Sequence, residues 1–357
     1  MPRRRLSSAD ALIALRLQNQ RLASAPLAEP REVVRWFGAV QAQLPVVARW
    51  SVGQRMRGGT DTAVARALAD GSIVRTHALR PTWHYVARDD LRWLLALTSP
   101  RVHVQMRFRH KWLELDARTV ARSHATLVKA LGDARHRTRS ELAPVLERAR
   151  VPITAERLGH LLLIAELDGV ICSGAPRGKQ HTYALLDERV PATPALAADE
   201  ALAELTRRYF RSHGPATVQD FRWWSSLTAA DVKRGLEIVG AALERREVEG
   251  RTYWQDPSRP EPSRDAPRAH LLQEYDELLV GYTESRDLLR PITGADVTLT
   301  GQALLQRTIL LDGRIAAHWR SGTRPGEVEV TPLKALRGVM RARVEAACER
   351  YRVFFAS

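Results

Sequence analysis

The chain has 357 residues, which is too many for one compact core and predicts two to four domains. Hydrophobic residues make up 45% of it and charged residues 27%, as in ordinary soluble proteins. No run of about 18 apolar residues occurs, so no membrane span is expected. The basic N-terminus has no apolar segment behind it, so no signal peptide is predicted and a cytoplasmic location is expected.

The net charge of +15 and the pI near 10.7 favour an anionic partner, most simply nucleic acid. Only five of the basic residues are lysines, so GC-rich coding is a second explanation for the arginine excess. The two cysteines, Cys172 and Cys348, lie far apart and have no metal-ligand spacing. Phosphate-binding, dinucleotide and zinc-protease motifs are absent from the sequence, so neither a metal nor a cofactor is expected.

The first predicted unit contains helices followed by two strands. Apolar periodicity predicts the helices, and β-branched and aromatic residues predict strands on either side of a turn near Arg80-Pro81. Helices followed by a hairpin are typical of a winged helix, in which the hairpin is the wing. The helices are expected over residues 9–22, 30–40, 46–56 and 61–69, and the strands over residues 72–80 and 81–87.

The same order of elements recurs twice. Repetition of one supersecondary unit indicates tandem winged helices. The second copy is predicted from helices over 137–150 and 154–168 and strands over 169–174 and 180–186. The third is predicted from helices over 198–212, 217–225 and 229–243 and strands within 246–255.

A proline-rich linker over residues 258–266 precedes a change of pattern. Beyond it the sequence predicts strands over 297–299, 307–311, 314–320 and 326–330, then a helix over 334–351. The predicted fold class is therefore mainly α with β (α+β), with three tandem winged-helix domains followed by a small C-terminal β-barrel-like domain. The four domains are expected over residues 1–115, 116–192, 193–260 and 261–357.

The segment Gln41-Ala42-Gln43 lies where the second predicted helix should end. Pro45 disfavours helical geometry at Leu44, and in extended backbone the two glutamines share a face, roughly 6–7 Å apart. Each amide has a carbonyl acceptor and two N–H donors, which suits holding a water molecule or reading a base edge. The alternative, two solvated polar side chains at a helix end, remains open at this point.

The predicted wing and the helical segment 101–111 carry candidate DNA contacts. A narrow basic hairpin can enter a minor groove, where arginine is favoured, and a basic helix can follow phosphates. A structural histidine and a solvated helix face are the respective alternatives. The candidates are Arg75, His77, Arg80, Thr82 and His84 in the wing, and Arg107 and Arg109 in the helix. Asp276 and Glu277 are interpreted as partly buried acids that pair with arginines.

Four segments carry a resemblance to a known family. They are Gln41-Ala42-Gln43, residues 80–84 (Arg-Pro-Thr-Trp-His), residues 271–282 (Leu-Leu-Gln-Glu-Tyr-Asp-Glu-Leu-Leu-Val-Gly-Tyr) and residues 311–319 (Leu-Asp-Gly-Arg-Ile-Ala-Ala-His-Trp). On these segments the chain resembles the AlkZ-like (YcaQ-like) winged-helix DNA glycosylases over nearly its whole length. It is similar to the branch with Gln-apolar-Gln rather than the one with Gln-apolar-Asp. Pro81 departs from the glycine expected in the wing.

The resemblance implies a monofunctional DNA glycosylase that hydrolyses the N-glycosidic bond of bulky or cationic N7-alkylpurines. It implies Gln41 and Gln43 as the catalytic residues, double-stranded DNA with an alkylated purine as the partner, and possible unhooking of interstrand crosslinks. Self-resistance to a genotoxic natural product is the implied biological role. The alternative is a non-enzymatic winged-helix DNA-binding protein or regulator. Regulators usually dimerise on palindromic sites, whereas no dedicated dimerisation helix is predicted here, so a monomer is expected.

Overall fold

The computed structural model describes residues 8–293, 306–324 and 326–356, which form helices and small antiparallel sheets. The predicted combination of α and β structure is confirmed. None of the helices in these ranges is long and apolar enough to cross a membrane. The helices are α1 (Ser8–Asn19), α2 (Pro30–Phe37), α3 (Pro45–Gly53), α4 (Asp61–Ala69), α5 (Leu91–Trp112), α6 (Ala117–Leu131), α7 (Arg139–Arg148), α8 (Ala155–Leu167), α9 (Leu186–Arg189), α10 (Ala198–Ser212), α11 (Val218–Ser225), α12 (Ala229–Val239), α13 (Glu277–Val280) and α14 (Gly338–Ala356).

The strands form three sheets of three or four strands and one hairpin within the described ranges. Their orders are β1-β3-β2, β4-β6-β5, β12-β11-β10-β9 and β7-β8. The strands are β1 (Val40–Gln41), β2 (Ile73–Ala78), β3 (Arg80–Ala87), β4 (Arg137–Thr138), β5 (Ile171–Ser173), β6 (Thr182–Leu185), β7 (Glu244–Val248), β8 (Arg251–Gln255), β9 (Ala269–Leu272), β10 (Thr308–Leu311), β11 (Arg314–Ser321) and β12 (Val328–Pro332).

One order of elements, helix, short strand, two helices and hairpin, occurs twice in full and a third time without the short strand. It is α2, β1, α3, α4, β2 and β3 in the first copy, and α6, β4, α7, α8, β5 and β6 in the second. In both, the short strand pairs with the second strand of the hairpin. In the third copy, formed by α10, α11, α12, β7 and β8, a single bridge between Ala216 and Trp254 takes the place of that pairing. Strand β1 therefore corresponds to β4 in the second copy and to the bridge at Ala216 in the third.

Several element boundaries differ from the sequence prediction, and two of these differences affect the segment around Gln41 and the hairpin. Helix α2 ends at Phe37 rather than at residue 40, because Gly38 has a φ of +85°, which leaves the helical region. Residues 40–41 therefore lie in a strand. The hairpin turn centres on Leu79, whose φ is +57°, so Arg80 and Pro81 begin β3 instead of forming the turn.

The C-terminal region is an open sheet in the part that the structure describes, and the predicted β-barrel-like closure is not seen in that part. Strands β9 and β12 are its two edges, so hydrogen bonds do not join its ends. Helix α14 covers one face, where the ring of Tyr351 lies 5.0 Å from that of Trp319. A barrel cannot be told from an open sheet by strand patterning, because both alternate in the same way. The predicted strand at 297–299 lies outside the described residues.

The first copy is packed between the other parts of the chain. Trp50 of α3 contacts the α14 rings of Tyr351 and Phe354 at 5.2 and 5.3 Å, and donates its indole N–H to the carbonyl of Leu271. Arg55 makes a two-pronged ion pair with Asp276, and both side chains are almost fully buried. The predicted pairing of Asp276 with an arginine is thus observed, and it anchors α3 to the segment before α13.

Candidate active site

Strand β1 places Gln41 in extended backbone on the edge of the first sheet. Its Cα lies opposite that of His84 in β3, and the next residue, Ala42, donates its N–H to the carbonyl of Trp83 over 2.7 Å. Only 5% of Gln41 is exposed, whereas Gln43 is exposed. The extended geometry at this segment follows the prediction made from Pro45.

The same junction has a different chemistry in the other two copies. There the residue before the helix is a threonine, Thr138 or Thr217, whose side chain accepts an N–H from an acidic residue three positions on. Such a capping box stabilises a helix N-terminus, typically by about 1 kcal/mol. In the first copy α3 begins after Leu44, which offers no side-chain cap, with Pro45 as its first residue. The first junction therefore lacks the stabilising cap and carries two amides instead.

Two partners hold Gln41 from opposite ends. Its backbone N–H donates to Oε1 of Glu277 over 2.6 Å, and its side-chain Oε1 accepts from Nη2 of Arg80 over 2.6 Å. Both bonds involve a charged group, and such bonds are about twice as strong as neutral ones. A carbonyl oxygen has two acceptor positions, so Gln41 Oε1 keeps one for a further donor. The side chain is thus fixed in direction while it retains acceptor capacity.

Glu277 is itself fixed by the third copy. Its Oε2 accepts from the indole N–H of Trp224 over 2.9 Å and from Nε2 of His213 over 3.1 Å. Burial lowers the pKa of His213, although Glu277 opposes that shift. A neutral His213 that donates from Nε2 accepts at Nδ1, where the hydroxyl of Ser212 lies 2.8 Å away. The carboxylate is therefore buried with three N–H donors around its two oxygens.

Gln41 faces a cleft of about 900 Å³ between the first and third copies. The walls come from the hairpin, from α5 and α11, and from residues next to α13. In the part of the chain that the structure describes, four arginines and no carboxylate line it. Among the lining residues are Gln41, Arg80, Arg101, Gln105, Arg222, Trp223 and Arg286. A concave surface of one charge sign attracts a polyanion and concentrates it at the site.

Gln43 lies outside this lining. Its side-chain carbonyl accepts the backbone N–H of Trp83 over 3.4 Å, which is a long hydrogen bond. Its backbone carbonyl accepts from the guanidinium of Arg75 over 3.3 Å. The structure thus brings Gln41 into the cleft and leaves Gln43 beside the strand, with the two amides bound to different partners. The shared target predicted for the pair stays a prediction.

Three wing residues are buried rather than exposed. Arg75 donates to the carbonyl of Ala42 over 2.9 Å and stacks on Trp83, with 4.0 Å to the ring centroid. His77 is bound to Glu166 of α8, a carboxyl whose pKa is raised by burial and lowered in part by His77. These side chains therefore face protein, because β2 packs against α8 and β5 of the second copy.

His84 is fully buried in β3. Its Nδ1 donates to the carbonyl of Thr82 over 2.9 Å, and Nε2 has no hydrogen-bond partner among the residues that the structure describes. Burial, followed by the charge of Arg80, holds its pKa well below the usual value, so the ring is neutral. DNA contact by Arg75, His77 and His84 remains a prediction, and their burial does not favour it.

The other four predicted contacts are more accessible. Arg80 and Thr82 are half-buried and line the cleft. Arg107 is exposed on α5, whereas Arg109 on the same helix is ion-paired with Glu156. Of these four, Arg80 and Thr82 are the ones that the structure brings to Gln41.

Sequence reasoning missed most of the cleft wall. Arg222, Trp223 and Arg286 come from distant parts of the chain, and no motif marks them. Glu277 was interpreted as an acid that pairs with an arginine, but it accepts the N–H of Gln41 instead. The signal available for Glu277 was its place inside one of the four segments that carry the family resemblance.

Comparison with known proteins decides the family. The family described as DNA glycosylase AlkZ-like matches residues 34–354, which is most of the chain and includes the whole cleft described above. The chain belongs to the AlkZ-like DNA glycosylase family. It is therefore an enzyme of the DNA glycosylase class, and DNA is its substrate.

Two comparisons with individual proteins agree with the family assignment of this AlkZ-like chain, although the sequence identities are low. It is 26% identical over 337 residues to the interstrand DNA cross-link repair glycosylase of Streptomyces sahachiroi, covering 90% of this chain and 89% of the relative. Its fold matches the structure of Streptomyces sahachiroi DNA glycosylase AlkZ with a TM-score of 0.78 and 23% identity, over 98% and 97% of the two chains. This chain thus shares its fold with that structure over nearly its whole length.

Proposed function

We propose that this chain is a monofunctional glycosylase for bulky or cationic N7-alkylpurines in double-stranded DNA, with Gln41 and Gln43 as its catalytic residues. The observation that carries the proposal is Gln41 at the wall of an arginine-lined cleft, with its backbone held by Glu277 and its side-chain amide held by Arg80. The relative from Streptomyces sahachiroi is named for interstrand cross-link repair. That name supports crosslinks among the substrates. Self-resistance to a genotoxic natural product is the biological role that we propose with them.

The chemistry suits amides rather than acids. Alkylation at N7 places positive charge on the purine, so the base can leave without being protonated by the enzyme. The remaining tasks are to hold a water molecule near the anomeric carbon and to stabilise a cationic, oxocarbenium-like transition state. Positioned carbonyl dipoles can do both, since an amide that does not titrate keeps its acceptor at any ordinary pH.

Each glutamine has an assigned part in this proposal. The free acceptor position of Gln41 Oε1 accepts a hydrogen bond from the attacking water, while Arg80 keeps the amide from rotating. As the water oxygen bonds to the anomeric carbon and the bond to the purine breaks, the purine leaves neutral and the water proton passes to solvent. The long bond from Trp83 to Gln43 breaks when DNA enters, which releases the second amide toward the sugar. Arg80 carries positive charge next to the sugar that becomes cationic in the transition state, so a DNA phosphate must neutralise it. The other arginines of the cleft lining need phosphate partners for the same reason.

The proposed organisation follows the sequence division into domains at residues 1–115, 116–192, 193–260 and 261–357. The three repeated element orders support winged helices in the first three, and the open sheet with α14 supports the fourth as a separate unit. We infer a monomer, because the cleft is complete within one chain.

The test is single-turnover excision from duplex DNA that contains N7-alkylguanine. Gln41→Ala and Gln43→Ala should each lower the rate by about 10²-fold, as loss of other preorganised dipoles does. DNA affinity, measured by anisotropy, should stay near the wild-type value, which assigns the loss to chemistry. Gln180→Ala, in the exposed turn of the second copy, is the matched control and should retain activity. Wild-type rates in both glutamine variants would refute the assignment.

A further inference from the structure

Helix α5 carries an exposed apolar stripe on its second half. The exposed fractions are 83% for Phe108, 60% for Trp112 and 52% for Val104. These residues are four apart, and at about 100° per residue they lie on one helix face. The first half of the same helix is buried, through residues such as Leu94 and Val102. A phenylalanine exposed to this degree gains nothing from the fold of its own chain, which points to a partner.

The stripe is continuous with the cleft wall. Arg101 and Gln105 line the cleft, and Phe108 and Trp112 follow them on the same face at seven and eleven positions after Arg101. The rise from Gln105 to Phe108 is about 4.5 Å along the helix, close to the ~3.4 Å spacing of stacked bases. A nucleotide held against Gln105 would therefore have its neighbour beside Phe108.

Positive charges flank the stripe on both sides. Arg107 and Lys111 are exposed on one side of it. On the other side Arg109 lies over the ring of Trp112, 4.2 Å from its centroid, and is held there by its ion pair with Glu156. The guanidinium covers one face of the indole, so the exposed area of Trp112 is its other face and edge. Aromatic rings interleaved with cations are typical of surfaces that bind nucleic acid by stacking and charge together.

We propose that this stripe is a second DNA-contact surface, on which Phe108 inserts into the base step beside the lesion and Trp112 packs against the next nucleotide. Apolar wedges of this kind unstack a base step and bend the duplex. A bend of that kind would open the duplex at the cleft entrance, next to Gln41. The proposal uses DNA as the partner but does not depend on the chemistry of the two glutamines.

The experiment reports unstacking without excision. The probe is a duplex with 2-aminopurine next to a 2′-fluoro N7-methylguanosine, whose glycosidic bond resists cleavage. Wild-type protein should raise the 2-aminopurine fluorescence on binding, since that base is quenched while stacked. Phe108→Ala should abolish the rise and weaken binding by about 10-fold, the size of one lost stacking contact. Phe108→Leu should retain part of both effects, because leucine also serves as a wedge.

The control is Val339→Ala on α14, since Val339 is 66% exposed and distant in sequence from the cleft walls. It should behave as wild type. An unchanged fluorescence rise in Phe108→Ala overturns the proposal. A wild-type dimer, seen by light scattering, that Phe108→Ala dissociates also overturns it and assigns the stripe to contact between two copies. Wild-type protein that unstacks the probe but excises nothing from N7-alkylguanine DNA supports the wedge and rejects the proposed glycosylase substrate.

Discussion

The backbone N–H of Gln41 donates to Oε1 of Glu277 over 2.6 Å, although 236 positions separate the two residues. A strand of two residues has little pairing of its own, so its position depends on such contacts. Trp224 and His213 hold the same carboxylate from the third copy. The geometry of the proposed catalytic segment is therefore set by three separate parts of the chain.

Glu277→Gln should lower the single-turnover excision rate by about 10-fold. One carboxylate oxygen becomes an NH₂ group that faces N–H donors, so either Gln41 or the Trp224–His213 pair loses its acceptor. Unfolding free energy should fall by about 1–3 kcal/mol, the usual loss for a buried unsatisfied donor. Urea denaturation and the excision rate at saturating DNA provide the measurements.

Trp224→Phe is the matched variant for that experiment. It removes a donor from the other oxygen and leaves the bond to Gln41 in place, so stability should fall while the rate at saturating DNA is retained. A Glu277→Gln enzyme that is folded and excises at the wild-type rate contradicts a positioning role for the carboxylate.

Asp276→Asn should destabilise the chain by about 3–5 kcal/mol, because it leaves the buried Arg55 guanidinium without its counter-charge. Burial alone would raise the pKa of Asp276, but Arg55 and the hydrogen bonds around it produce a net lowering. Asp61→Asn, which breaks a pair with Arg49 whose side chains are each 22% exposed, should cost about 1 kcal/mol or less. Equal losses in urea denaturation of the two variants would contradict this ranking.

Arg222→Ala should weaken DNA binding about uniformly across sequences and reduce its salt dependence. Arg222 is exposed on the cleft wall, and one lost phosphate contact lowers the slope of log K against log salt by about 0.9. Anisotropy titrations on a random duplex between low and moderate salt measure the slope. Arg341→Ala on α14, which removes a surface pair with Glu345, should leave it unchanged. The same slope for both variants would remove Arg222 from the phosphate-binding surface.

Stability should decrease as the pH falls below about 6.5. Burial, followed by the charges of Arg350 and Arg55, lowers the pKa of His270 to about 3. As the pH falls, His270 is therefore protonated near pH 6.5 in the unfolded chain but stays neutral in the folded one. This difference lowers the free energy of unfolding by about 2 kcal/mol between pH 7.5 and pH 5. His270→Gln should reduce that loss in urea denaturation at the two pH values, with His318→Gln on β11 as the control. An undiminished loss in His270→Gln would contradict the assignment.

Local signals predicted local structure well. Thr60 and the residues after it predicted a helix to residue 69, and the structure places α4 at Asp61–Ala69 with the Thr60 side chain as its cap. The break at Gly214-Pro215 likewise predicted where α10 ends. Pro45 predicted the extended backbone before α3, which exists as β1. In each case the deciding chemistry lies within a few residues of the boundary.

Long-range relationships could not be predicted in the same way. Alternation along β2 has the same appearance whether its outer face meets water or Glu166 of the second copy, so the sequence could not predict that contact. The hydrogen bond between Gln41 and Glu277 has no local signature, because the residues next to each of them give no indication of the distant partner. Whether the C-terminal sheet closes could not be predicted for a related reason, since edge strands are not marked in the sequence.

The burial of the first hairpin limits how this enzyme can acquire new substrates. Its residues Arg75, His77 and His84 are held by Ala42, Glu166 and Thr82, so a substitution among them disturbs the fold before it alters recognition. The exposed walls on α5 and α11 are free of that constraint. Directed evolution toward other adducts should therefore accumulate changes on those two helices and leave Arg75, His77 and His84 intact.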